Sequence, residues 1–291
     1  SKNLFYPPDP TERNCFIGAT VATNSSGART FKYGPTRNYV LALKVILTNG
    51  ETIYIERGKQ KAVGYFASLE TQNKKNISFE IPKFEMPETK NASGYYCKEN
   101  MDLIDLFIGS EGTLGIITEI KFKLIDYNEN ILSAIAFFEN ENDAFNFSQE
   151  ARKLSFDNTS KIDARGLEFF DHRTLNYLRN DYSSIPNNTC AIWFEQEIEN
   201  NEDEIIDCWM KLILKHNSNP ETVWLAVDKK EQEKFKDFRH AIAWKVNEIV
   251  AQRNLRKVGT DIAIPDEHFV VFYKWMKNLV EENKIDYVVY G

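Results

Sequence analysis

The chain has 291 residues, with 36 Lys+Arg against 43 Asp+Glu for a formal net charge of −7, and 42% of its residues are apolar. That composition supports a sizeable core spread over about two domains and excludes a nucleic-acid partner held by general basicity. Apolar runs far shorter than the roughly 20 residues that span a bilayer, no basic-then-apolar leader, and four scattered cysteines without a CxxC pair leave a soluble, cytoplasmic reading without a disulfide framework, zinc site or internally ligated iron–sulfur cluster.

In chain order, Ser1 stands where a start Met would, and Pro7-Pro8-Asp9-Pro10 follows almost at once. In the run 17–27, nine of eleven residues are Gly, Ala, Ser, Thr or Asn. Residues 39–47 predict a buried strand, Asn49-Gly50 a tight turn, and 52–55 the returning partner. Residues 58–98 are polar, rich in Lys and Asn and broken by Pro82 and Pro87, which predicts loop with one short strand at 78–81. Gly109, Gly112 and Gly115 then lead into a strand at 116–124.

Charge and pattern change near Asp126-Tyr127-Asn128, which places a domain boundary there. Residues 1–126 carry 16 Lys+Arg and 14 Asp+Glu, net +2, whereas residues 127–291 carry 20 and 29, net −9. Beyond the boundary, strands are predicted at 133–138, 190–196, 222–227, 261–264 and 287–290. Helices are predicted at 141–154 with Asn140 or Asn142 as cap, at 167–178, at 201–216, at 229–253 with at most one break, and from Pro265 to 283. Strands separated by helices on an α+β sheet fit a cap-like second domain.

Two runs carry chemistry. In 17–27, small side chains let the backbone approach a bulky ligand so that N–H and hydroxyl donors reach phosphates or ring edges; a tight turn packed on the core uses the same residues. The run holds neither GKS/T nor GxGxxG, so it is not a Walker loop or a dinucleotide fingerprint. The glycines of 109–115 leave room for a cofactor at the strand start, and they equally fit a helix C-terminus followed by a β-turn. The four histidines, His172, His216, His240 and His268, have no metal-ligand spacing; they read as surface or partly packed, and no metal site is expected.

Pro7-Pro8-Asp9-Pro10, the run Ile17-Gly18-Ala19-Thr20-Val21-Ala22-Thr23-Asn24-Ser25-Ser26-Gly27, Tyr33-Gly34 and the run Gly109-Ser110-Glu111-Gly112-Thr113-Leu114-Gly115-Ile116-Ile117-Thr118 together resemble, in order and spacing, the flavin-binding domain of the FAD-linked oxidase family. That family includes D-lactate dehydrogenase, the glycolate oxidase flavoprotein subunit and D-2-hydroxyglutarate dehydrogenase, on a vanillyl-alcohol-oxidase-type fold. Leu167-Glu168-Phe169-Phe170-Asp171 and Gly259-Thr260-Asp261-Ile262-Ala263-Ile264-Pro265 are similar to the family's cap domain.

The resemblance implies an α+β architecture: the second half of a PCMH-type FAD-binding domain in residues 1–126, and in 127–291 a substrate or cap domain with a largely antiparallel sheet flanked by helices. It implies FAD as cofactor, with Pro8, Gly18, Ala19, Asn24, Ser25 and Gly27 lining the flavin and pyrophosphate, and Gly112, Gly115, Ile116 and Ile117 against the adenosine half. It implies Arg239 as the cation that holds a substrate carboxylate, a role a planar guanidinium suits, and Lys257 as a second cation two residues out of the family's register. A solvated arginine on a charged helix accounts for Arg239 as well.

The implied reaction is oxidation of a small D-2-hydroxy acid, D-lactate or glycolate-like, by hydride transfer to flavin N5, with a quinone, cytochrome or iron–sulfur partner accepting the electrons. The family's glycine-rich pyrophosphate loop would precede Ser1, and its His-Gly-Asp-x-Asn-x-His-like segment, with metal ligands and base, would follow Gly291. The chain is therefore expected to be a fragment, weak in FAD binding and inactive alone, of a parent that is cytoplasmic or peripheral to the inner membrane. The competing readings are a non-redox flavin transferase resembling alkylglycerone-phosphate synthase, disfavoured by the −9 balance, and a flavin-free interaction module.

Overall fold

The computed structural model describes residues 3–10, 12 and 14–291 and separates the chain into two units, Ser1–Tyr127 and Asn128–Gly291. The first unit contains β1 (Leu4–Phe5), α1 (Ile17–Ala22), α2 (Thr30–Tyr33), β2 (Val40–Ile46), β3 (Thr52–Glu56), β4 (Phe66–Glu70), β5 (Asn76–Glu80), α3 (Ile104–Phe107), β6 (Ile116–Phe122) and β7 (Ile125–Asp126). β2 is the middle of an antiparallel sheet ordered β3-β2-β6. Val40, Leu43 and Val45 of β2 are buried with Ile53 and Ile55 of β3, because every apolar residue on that face leaves water when the hairpin closes. The hairpin turns at Asn49-Gly50, where Gly50 takes φ +82° and donates its N–H to the Leu47 carbonyl.

The polar stretch 58–98 holds one strand more than expected. β4 and β5 form an antiparallel hairpin in which Ala67 and Leu69 are buried while Phe66, Ser68 and Glu70 are exposed. The period of two was present in the sequence but only two of its residues are apolar and inward. β1 and β7 pair with one another, so the beginning and end of this unit meet.

The second unit contains β8 (Ile131–Phe138), α4 (Glu141–Ser155), β9 (Ala164–Phe170), α5 (His172–Leu178), β10 (Cys190–Glu197), α6 (Glu202–Lys215), β11 (Trp224–Ala226), α7 (Lys229–Gln252) and α8 (Asp266–Glu282). Its four strands form one antiparallel sheet ordered β11-β8-β10-β9. All eight residues of β8 are buried, as expected of a central strand covered on both faces. One face carries Phe138, Phe169 and Phe194, which meet Phe147 and Phe145 of α4, Trp209 of α6 and Tyr273 of α8. The opposite face carries Trp193, Phe170 and Trp224, which meet α7 through Arg239, Phe238 and Phe235.

Three sequence expectations are corrected here. Residues 167–178 are not one helix: β9 runs to Phe170, and Asp171 then caps α5 by accepting the Thr174 N–H at 2.8 Å. A strand buried on both faces does not alternate, so its apolar run is easily read as helix. The helix expected at 229–253 forms as α7, without a break. The strand at 261–264 does not form; residues 255–265 have no regular structure and are almost wholly exposed, since an extended run without a hydrogen-bonding neighbour is not a strand. The closing run pairs only at its end, where Tyr290 bridges Phe170 and Phe169 exchanges backbone bonds with Gly291 on the outer edge of β9. Among the described residues, no helix is long and apolar enough to cross a membrane.

Candidate functional site

In the first unit the two glycine-rich runs are brought together. The Gly109 N–H donates to the Val21 carbonyl and the Glu111 N–H to that of Ala22, so the loop after α3 caps the end of α1. Asn24 is buried in the left-handed region at φ +47°, and its Oδ1 accepts the Arg37 N–H at 3.0 Å. A Cβ on Gly109 would stand 3.2 Å from the Asn24 Cβ. The seat of this loop is a charged network. Asp105 accepts from Arg37 at 3.1 Å and from Arg57 at 2.9 Å and 3.1 Å. Arg37 also donates to the Ile108 carbonyl at 2.7 Å, Arg57 to those of Val40 and Arg37, and the Arg37 guanidinium lies 4.4 Å from the Tyr96 ring centroid. Burial pulls the Arg37 pKa down, opposed by Asp105. Sequence reasoning missed this network, whose three members lie far apart in the chain and meet only when α3 packs beside β2 and β3.

The predicted cofactor residues fall into two groups. A Cβ on Gly27 would lie 1.8 Å from the Asp9 carbonyl oxygen, and one on Gly115 would lie 2.6 Å from that of Ile46. These glycines admit the crossing of one backbone over another, next to Pro8 in the first case. Ile117 packs against the hydrophobic core while Ile116 is exposed, so only the Ile116 side chain faces outward. Gly18 and Gly112, by contrast, have no atom within 4 Å of a would-be Cβ, and Ala19 beside Gly18 is exposed. Ser25 bonds Thr23 through its hydroxyl at 2.7 Å and accepts from the Thr36 hydroxyl through its carbonyl. Open glycine backbone next to small hydroxyl side chains is the donor chemistry a dinucleotide needs, and the group fits.

In the second unit Arg239 is not on the solvated face of α7. Phe235, Phe238, Arg239 and Ile242 form one stripe at helical spacing, and of these Phe238, Arg239 and Ile242 are buried. The Arg239 Nε lies 3.2 Å from Glu168 Oε2, and its guanidinium carbon 5.3 Å from the Trp193 ring centroid. The solvated reading of Arg239 is therefore overturned. Lys257 lies in the exposed run after α7 and donates to the Asn247 side chain at 3.2 Å, two helical turns, about 12 Å of axis, beyond Arg239. The structure does not gather the two cations around one point of α7. His240 is buried as well, more fully than a surface or partly packed reading expects.

Other polar groups cluster where α4 begins. A cavity of about 370 Å³ is lined by Glu141, His172, Cys190 and Lys277 among others, and by none of the predicted site residues. Glu141 accepts from Tyr273 and Lys277, each at 2.8 Å. Burial pushes the Cys190 thiol up to about 12, which removes it as a thiolate nucleophile.

With this geometry in place, comparison with known proteins is decisive. The model described as "FAD binding domain" matches residues 1–56, and that described as "FAD linked oxidases, C-terminal domain" matches residues 128–291, more than half of the chain. The chain belongs to the FAD-linked oxidases. FAD is the cofactor of this FAD-linked oxidase. It is 36% identical over 186 residues to the glycolate oxidase subunit GlcD of Bacillus subtilis, covering 64% of this chain and 31% of that protein. It is 37% identical over 142 residues to a D-lactate dehydrogenase of Anaerostipes hadrus, covering 49% of this chain and 22% of that protein. Among solved structures, an alkyldihydroxyacetonephosphate synthase matches with a TM-score of 0.59 at 16% identity, over 96% of this chain and 48% of the other, a likeness of fold. The match covers less than half of each of these proteins.

Proposed function

We propose that this chain supplies FAD- and substrate-facing surfaces of an oxidoreductase that oxidises a small D-2-hydroxy acid of the D-lactate or glycolate class. The observation that carries this reading is a guanidinium kept inside the apolar stripe of α7, in a chain whose relatives are named for glycolate and D-lactate. In this reading residues 1–126 hold the cofactor. The backbone of Gly18 and Gly112, the Ala19 methyl and the Ser25 hydroxyl meet the dinucleotide, while Pro8, Asn24, Gly27, Gly115, Ile116 and Ile117 shape the surface behind it. Residues 127–291 hold the substrate. Arg239 donates to the carboxylate as a bidentate fork, and Lys257 adds positive charge from the run after α7. Holding the carboxylate fixes the hydroxyl-bearing Cα, which converts an encounter into an oriented one. FAD, when bound, would supply the acceptor for the Cα hydride, with the hydroxyl proton passing to a general base as the alcohol becomes a carbonyl. The electrons pass on to a quinone, cytochrome or iron–sulfur partner.

The test is anaerobic mixing of the FAD-loaded product of the complete reading frame with D-lactate, glycolate and D-2-hydroxyglutarate. Loss of flavin absorbance with one of them, and a rise in KM that exceeds any fall in kcat for Arg239→Lys, support the reading. No bleaching by any of the three overturns it. The 291-residue chain by itself is expected to retain less than one flavin per molecule; stoichiometric flavin in that preparation overturns the expectation of weak binding.

A further inference from the structure

Arg239 occupies a position that a leucine would fill with less loss. A guanidinium taken from water into a packed sheet–helix interface costs several kcal/mol before its partners are counted, and a buried pair rarely stabilises more than apolar residues of the same volume. Its surroundings are built accordingly. Trp193 and Glu168 are direct cross-strand partners in the β10–β9 register, and Ile135 and Trp224 continue the same row across β8 and β11. Three members of the row are apolar and the fourth is a glutamate, placed under Arg239 with side chains only 5% and 16% exposed. Trp193 is anchored in turn by donating its indole N–H to the Ser133 hydroxyl at 3.1 Å.

We infer that Glu168, with Trp193 beside it, is a positioning residue that holds the Arg239 guanidinium in one orientation for the substrate carboxylate. This rests on Arg239 being the carboxylate site. An arginine side chain has several rotatable bonds and about 2 kcal/mol of rotamer freedom; a carboxylate on its Nε and a flat indole face beside its plane leave it one orientation. Glu168→Gln keeps an acceptor oxygen for the Nε–H, Glu168→Asp draws the carboxylate back by one methylene, and Glu168→Ala removes it.

The experiment uses the FAD-loaded product of the complete reading frame and two readouts: calorimetric binding of oxalate, which lacks a Cα–H, and KM and kcat for D-lactate. Wild type, the three Glu168 variants and Arg239→Ala are compared after thermal melting establishes which of them fold. Expected are a loss of oxalate affinity of about tenfold or more in Glu168→Ala, an intermediate loss in Glu168→Asp, near wild-type affinity in Glu168→Gln, and KM changes that follow the same order with little change in kcat. If Glu168→Ala does not fold, the Asp and Gln variants give the same ordering. Oxalate affinity unaltered by Glu168→Ala or Glu168→Asp, but lost in Arg239→Ala, overturns the positioning role and keeps the carboxylate site. Oxalate binding unaltered in Arg239→Ala, or absent from wild type, overturns the carboxylate site and the inference with it.

Discussion

The two units bury arginine–carboxylate contacts in opposite ways. In the first, one carboxylate, Asp105, serves two guanidiniums, which also donate to the carbonyls of Val40, Arg37 and Ile108. The network ties separate loops by their backbones. In the second, Arg239–Glu168 and Arg165–Glu195 join side chains mounted on elements whose backbones are already hydrogen-bonded. Where a sheet supplies the scaffold, the buried ion pairs join side chain to side chain; where loops must be held, the guanidiniums also tie backbone carbonyls. The net charges of +2 and −9 count residues and do not reveal this difference.

The comparison is broken most sharply by Asp105→Ala. It leaves two part-buried guanidiniums without their carboxylate, and the first unit is expected to lose about 3–5 kcal/mol, read by urea unfolding with hydrogen exchange at residues 104–111. A loss below about 1 kcal/mol would mean that the loops are held by something else. The opposite sign is expected in the second unit. Arg239→Met with Glu168→Leu keeps volume, removes both charges and leaves stability unchanged or raises it by about 1–4 kcal/mol, while oxalate binding is lost. Strong destabilisation of the double variant would make that pair structural too.

Glycines sharpen the contrast within the first unit. Gly27→Ala drives a methyl into the Asp9 carbonyl and is expected to cost about 1–3 kcal/mol. Gly18→Ala lies in α1 with open space around it, so helix propensity predicts a gain of up to about 1 kcal/mol. The same methyl intrudes where the dinucleotide is proposed to lie, so thermal melting should rise as flavin occupancy falls. Equal flavin occupancy in the wild type and Gly18→Ala would move the cofactor surface elsewhere.

The smallest expected effect concerns pH. Burial raises the Glu141 pKa, but bonds from Lys277 and Tyr273 outweigh it and hold the carboxyl below its ordinary value. A carboxylate whose folded pKa is depressed stabilises the fold fully above its unfolded value, about 4.5, and loses that contribution as pH falls through the folded one. The stability difference between wild type and Glu141→Gln, at most about 1 kcal/mol, should shrink as pH falls through the folded pKa of Glu141. A difference that persists in strong acid rules out the ion pair as its source.

Much of this was legible in the chain. The β2–β3 hairpin follows from an apolar run, Asn49-Gly50 and a second run, and α6 from Ile205, Trp209, Leu212 and Ile213 at helical spacing. β9 was not, because Leu167-Glu168-Phe169-Phe170 serves both faces of a sheet and has no clean period. The core position of Arg239 was written in Phe235, Phe238 and Ile242, yet the neighbouring lysines pointed to a solvated helix.

The sequence by itself determined the order and spacing of the small-residue runs, and with them the resemblance that implied the family and the cofactor. It also determined where an arginine sits on α7. Only the tertiary structure decided which glycines face open space and which face a crossing backbone, and which carboxylate meets which guanidinium. Asp105 reaches Arg37 and Arg57, and Glu168 reaches Arg239, across separations that chain-local periodicity does not encode; strand register and loop closure bring them within hydrogen-bond distance.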